Sequence, residues 1–128
     1  MTWHILVVDD EPVNREIIGE YLDDPTYALA MAEDGQDAWE QLAAASEPFD
    51  LIVLDRMMPR MGGMELLHKV KADARFRHVP VIMQTAASSP EQVRESIAAG
   101  AYYYLTKPYD PEALIAVEEA RAFERIRA

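Results

Sequence analysis

Short apolar runs, many of them rich in β-branched or aromatic residues, recur along the chain: HILVVD (4–9), YALAMA (27–32), DLIVLD (50–55), PVIMQT (80–85) and YYYLT (102–106). Each has the length and bounding punctuation of a strand, and the stretches between them carry apolar residues at helical spacing. The pattern predicts five strands alternating with five helices. Helix starts have signals of their own: Pro12 inside the first, Asp34 and Gly35 before the second, Gly62 and Gly63 before the third. Ser88 with Glu91 suits a capping box around Pro90, Gly100 ends the fourth helix, and Asp110 precedes Pro111 at the fifth. Near-continuous apolar strands between helices imply a parallel sheet buried on both faces, with right-handed crossovers. The expected architecture is one doubly wound α/β domain over residues 1–128, with strand order 2-1-3-4-5. The last helix, from about residue 111, runs to residue 128 and suits either a stand-alone domain or the start of a linker in a longer protein.

Composition narrows the chemistry. A chain of 128 residues can bury roughly two thirds of its unfolded surface in a single core. It has no cysteine, which excludes disulfides, thiolate metal sites and a thiol nucleophile. The amino terminus lacks a signal-like segment and no apolar run is long enough to span a bilayer, so a cytoplasmic protein without membrane contact is expected. A formal net charge of −11 opposes direct binding to nucleic acid or an anionic membrane.

The third strand ends in an acid, Asp55, where an apolar residue would extend the core. In an open doubly wound sheet, ligands bind at the carboxyl ends of the strands, where strand order reverses. With order 2-1-3-4-5 that point lies between strands one and three, so Asp9, Asp10 and Asp55 should converge in one crevice. Carboxylates that close do not all ionise cheaply without a shared proton or a cation. An all-oxygen set favours a hard ion, Mg²⁺ ahead of Mn²⁺ or Ca²⁺. Thr85 at the end of strand four and Lys107 after strand five complete the rim. Together these groups can handle a phosphoryl group: a carboxylate nucleophile, charge-offsetting cations and a hydroxyl. Taken singly, each has an ordinary explanation: Asp9 and Asp10 as a helix cap, Thr85 as a strand residue, Lys107 as a solvated lysine. Only their joint placement favours the site.

The motifs ILVVDDE, LIVLDRMMPRMGG, VIMQTAA and YLTKP, in this order and spacing, resemble the receiver domain of two-component response regulators over essentially the whole chain. The resemblance implies a flavodoxin-like (chemotaxis-regulator-like) fold with the same strand order. It implies that Asp55 accepts a phosphoryl group from a phosphohistidine on a sensor histidine kinase or histidine phosphotransfer protein. It further implies Mg²⁺, with Mn²⁺ as a substitute, bound by Asp10 directly, by Asp9 largely through water, by Asp55 and by the backbone carbonyl of Met57. Lys107 would contact the phosphoryl group, Thr85 would hydrogen-bond it, Tyr104 would turn inward as Thr85 moves, and the peptide before Pro108 would be cis. Output would pass to a downstream protein or effector domain through the surface of the fourth helix, fifth strand and fifth helix, and a phosphorylation-dependent homodimer is compatible with it. Such a domain catalyses only its own phosphorylation and dephosphorylation.

Some residues depart from that pattern. Arg56, directly after the acceptor, either covers the mouth of the site or faces solvent; Gln84 needs a hydrogen-bond partner if it is enclosed. Tyr102 and Tyr103 serve either edge packing or a partner surface. The methionines at 57, 58, 61 and 64 suit packing better than a soft metal, and His4, His68 and His78 share no ligand spacing. Two other classes stay in view: a receiver-fold interaction module that works without phosphorylation, and an aspartyl-nucleophile phosphatase. The second expects another acid two residues after the nucleophile, where this chain has Met57.

Overall fold

The computed structural model describes residues 2–58, 60–85 and 89–106. Along the chain these form β1 (Trp3–Val8), α1 (Pro12–Tyr21), β2 (Tyr27–Ala32), α2 (Gly35–Ala44), β3 (Leu51–Asp55), α3 (Gly63–Ala72), β4 (Val81–Thr85), α4 (Pro90–Ala98) and β5 (Tyr103–Thr106). All the strand pairings are parallel, as the alternation of elements implies, and the order is β2-β1-β3-β4-β5, the one expected for a five-stranded doubly wound sheet. The expected helix count is corrected: the described residues form four helices, not five. The fifth was assigned to the stretch from residue 111 onward, which lies outside the described residues, so the carboxyl-terminal pattern has no counterpart among the elements above.

Side chains alternate across each strand and sort the core into two layers. Leu6, Val8, Ile52, Leu54, Val81 and Met83 point to one face, where they meet Ala38 and Leu42 of α2 and Leu66, Leu67 and Val70 of α3. Ile5, Val7, Leu51, Val53 and Ile82 point to the other and meet Ile18 of α1 and Leu22 just beyond it. This two-sided burial explains why the central strands are apolar at successive positions. Among the described residues, no helix is long and apolar enough to cross a membrane.

Local chemistry sets the joints. Pro12 opens α1 at a position with no hydrogen bond to lose, and Asp34 caps α2 by accepting the Asp37 amide at 2.8 Å. The cap of α4 falls one residue later than the sequence pattern suggested. Because Pro90 is the first helical residue, Ser89 and Gln92 form the capping box, each side chain bonded to the other's amide at 3.1 Å. Gly63 begins α3 pressed against β3: a β-carbon there would come within 2.6 Å of the Arg56 Cα. At the outer strand β2, the Gln41 side-chain amide donates to the Met31 carbonyl at 2.8 Å.

Candidate functional site

The strands that flank the reversal of order, β1 and β3, deliver the acids. β1 ends at Val8, so Asp9 and Asp10 emerge at its carboxyl end, and Asp55 closes β3 beside them. One carboxylate oxygen from each of Asp9, Asp10 and Asp55 lies within 4.8 Å of the others. It is the only such grouping of histidine, cysteine or acidic residues among the described residues, and no histidine joins it. Asp9 is fully buried and Asp55 is 3% exposed, with Asp10 the more open.

Asp9 does not cap α1. The cap position belongs to Glu11, which makes no side-chain cap bond, while Asp9 Oδ1 accepts the Glu11 amide at 2.9 Å. Arg15 of α1 donates to the Asp9 carbonyl at 2.6 Å and so fixes the turn. Buried like charges are costly, and a set of carboxylate oxygens at this spacing suits a hard divalent ion, Mg²⁺ or Mn²⁺.

The rest of the rim is partly in view. Thr85, 2% exposed, ends β4, one step beyond Gln84, which pairs in register with Asp55. Tyr104 of β5 lies opposite Met83, with its ring against the core and its hydroxyl buried. Burial raises the Tyr104 pKa, Asp55 adds to the rise and Arg56 opposes it. The Met57 side chain is 68% exposed, and its amide approaches Asp55 Oδ1 at 3.4 Å, a long contact. Lys107 and Pro108 lie outside the described residues.

Two arginines in the loop after β3 find partners that the sequence does not reveal. Arg56 neither covers the acids nor faces solvent. Its side chain is only 11% exposed and crosses to α4, where Nη1 donates to Ser96 Oγ at 3.0 Å and Nη2 to Glu95 Oε1 at 3.1 Å. Arg60 turns the opposite way and pairs with Asp34, its Nε at 2.7 Å, from a left-handed backbone with φ of 60°. Burial alone would push the Asp34 carboxyl up, but the Asp37 amide and the Arg60 guanidinium outweigh it and hold the pKa below the usual 3.8.

Gln84 is fully buried, and neither polar atom of its amide has a hydrogen-bond partner among the described residues. It lines a cavity of about 10 Å³ together with Ile18, Tyr21, Leu22, Val53, Ile82 and Leu105. The two tyrosines part company: Tyr102 packs against the α1 side of the core, and Tyr103 is 39% exposed.

A doubly wound parallel sheet with an acidic cluster at its switch point is the architecture of the aspartate-phosphorylated signalling modules. The family model for the response regulator receiver domain matches residues 5–118, and the chain belongs to that family. It is 39% identical over 123 residues to the chemotaxis protein CheY of Pseudomonas aeruginosa, covering 95% of this chain and 97% of that one. The chemotaxis response regulator CheY4 of Vibrio cholerae superposes with a TM-score of 0.82 at 33% identity, covering 93% of this chain and 98% of that one. The Mn²⁺-bound form of response regulator Rcp1 superposes with a TM-score of 0.77 at 26% identity, covering 95% and 91%. The protein is therefore a phosphorylation-dependent switch of two-component signalling, with chemistry confined to its own phosphorylation and dephosphorylation. Its partners as a class are histidine kinases or phosphotransfer proteins.

Proposed function

We propose that Asp55 is the phosphoacceptor, supported above all by the three carboxylates within 4.8 Å at the switch point. An Asp55 carboxylate oxygen attacks the phosphorus of a phosphohistidine. The P–N bond breaks, and the imidazole keeps the electron pair and takes up a proton. Asp9, Asp10 and Asp55, with the Met57 carbonyl, would hold Mg²⁺, or Mn²⁺ as in the structure of Rcp1. When bound, the ion offsets negative charge on the phosphoryl oxygens. Lys107 would supply a second positive charge, and the Thr85 hydroxyl would bond the phosphoryl oxygen. As Thr85 moves, the inward position of Tyr104, whose ring already lies against the core, would be favoured, a shift between existing populations.

The readout face is then α4 with β5, where Ile97 and Tyr103 are 46% and 39% exposed. It would meet a downstream protein or a second copy of the phosphorylated chain. With Mg²⁺ and acetyl phosphate, intact-mass measurement should show one added phosphate on the wild type and none on Asp55→Asn; equal labelling of both would remove Asp55 from the role. Thr85→Ala should still accept phosphate yet lose most of the NMR shift change on α4 and β5.

A further inference from the structure

Arg56 is held rigidly at its backbone. Its amide donates to the Gln84 carbonyl at 2.8 Å and its carbonyl accepts from Gly63 at 3.0 Å, so the residue after the acceptor has little freedom except in its side chain. That side chain is a strut from the phosphorylation loop to the second half of α4. On α4 the strut ends on unequal partners. Ser96 is fully buried, and its hydroxyl in turn approaches Met64 Sδ of α3 at 3.6 Å, whereas the Glu95 side chain is 59% exposed.

A guanidinium so covered needs an anion, and here the anion is a mostly solvated carboxylate on a helix that forms the readout face. Phosphorylation would turn the adjacent carboxylate, with its single negative charge, into an acyl phosphate that carries nearly two. Phosphoryl oxygens match the planar fork of arginine better than one carboxylate oxygen does. Tyr104, whose hydroxyl feels the charges of both Arg56 and Asp55, borders the same space.

We propose that Arg56 is a second coupling residue, which exchanges Glu95 for the phosphoryl group on Asp55 and thereby frees α4. The proposal rests on Asp55 as the acceptor. It assigns α4 a release that does not pass through Thr85. Because linkage is reciprocal, the factor by which the anion at Asp55 weakens the hold of Glu95 on Arg56 is the factor by which that hold weakens anion binding.

The test uses beryllofluoride, a phosphoryl mimic, titrated with Mg²⁺ and followed by ¹⁹F NMR. Glu95→Gln, a substitution on the surface of α4, should tighten beryllofluoride binding about three- to tenfold, within the usual range of coupling between sites. Arg56→Met should weaken it, and in that background Glu95→Gln should change nothing, which closes a double-mutant cycle. A strut with a purely structural role would lower the melting temperature in Glu95→Gln and leave affinity unchanged. Affinity within twofold of wild type in Glu95→Gln, or the same tightening with Arg56 removed, overturns the exchange. A wild type that binds no beryllofluoride fails one stage earlier, at the assignment of Asp55 itself.

Discussion

Asp34 and Asp55 are buried to nearly the same extent at the same edge of the sheet, 2% and 3% exposed. Their surroundings differ. Asp34 accepts a helix amide and faces the Arg60 guanidinium, so its charge is answered from within the protein. Asp55 shares its crevice with Asp9 and Asp10, so charge there is concentrated. The contrast teaches that burial of an acid does not mark function. An acid matched to one guanidinium holds structure in place, while three acids brought to one point offer a site that a cation can occupy.

The largest effect should separate the two acids by their response to metal. Mg²⁺ at about a hundred times its dissociation constant should stabilise the wild type by about 2.7 kcal/mol. Asp34→Asn should keep that gain, and Asp9→Asn with Asp10→Asn should lose it; a retained gain in the latter, measured by calorimetry or thermal melts, would break the contrast. Without metal the signs should reverse. Asp34→Ala should cost about 1–2 kcal/mol through the lost cap. Asp10→Asn should instead stabilise the metal-free protein by about 1 kcal/mol, the Coulomb energy of two like charges near 4 Å in water. Denaturant melts of the two variants side by side would decide it.

A pH series sharpens the same point. The folded pKa of Asp34 is depressed, so the stability it contributes is fully present above the unfolded value near 3.8 and is lost as pH falls through the folded value. The difference between wild type and Asp34→Asn should therefore be constant near neutrality and shrink below about pH 4. A difference independent of pH down to acid unfolding would mean that the ion pair is idle. Gln84 is a third case, enclosed and, among the described residues, neither paired nor clustered. Gln84→Met should stabilise by about 1 kcal/mol, since it removes a buried amide without partners at little change in volume. A loss of stability on denaturation would show that the amide finds a partner in solution.

Much of this was legible in the chain because its physics is local or topological. Strands buried on both faces must be apolar throughout, so β1 to β5 appear as runs with ends displaced by no more than one residue. Strand order then brings Asp9, Asp10 and Asp55 together without any contact information. The cap of α4 was ambiguous because Ser88 with Glu91 and Ser89 with Gln92 both satisfy the spacing, and only the placement of Pro90 at the first helical position decides. Arg56 was not legible at all. A long side chain reaches partners 39 and 40 residues away only once α4 is docked, and hydrophobic periodicity carries no trace of that. Arg60 reaches Asp34 across 26 residues for the same reason.

The bond from Gln41 to the Met31 carbonyl bears on how crowded copies of this chain treat one another. Among the described residues β2 pairs only with β1, and an outer strand is a template onto which a foreign strand can add, the first step toward aggregates. Here a backbone acceptor on that strand is already filled by an amide, which approaches Asp37 Oδ1 at 3.4 Å. An intruding strand would have to displace Gln41 before it could complete its ladder. With a net charge of −11 repelling other copies, this small plug removes one acceptor from the template that the outer strand would otherwise offer.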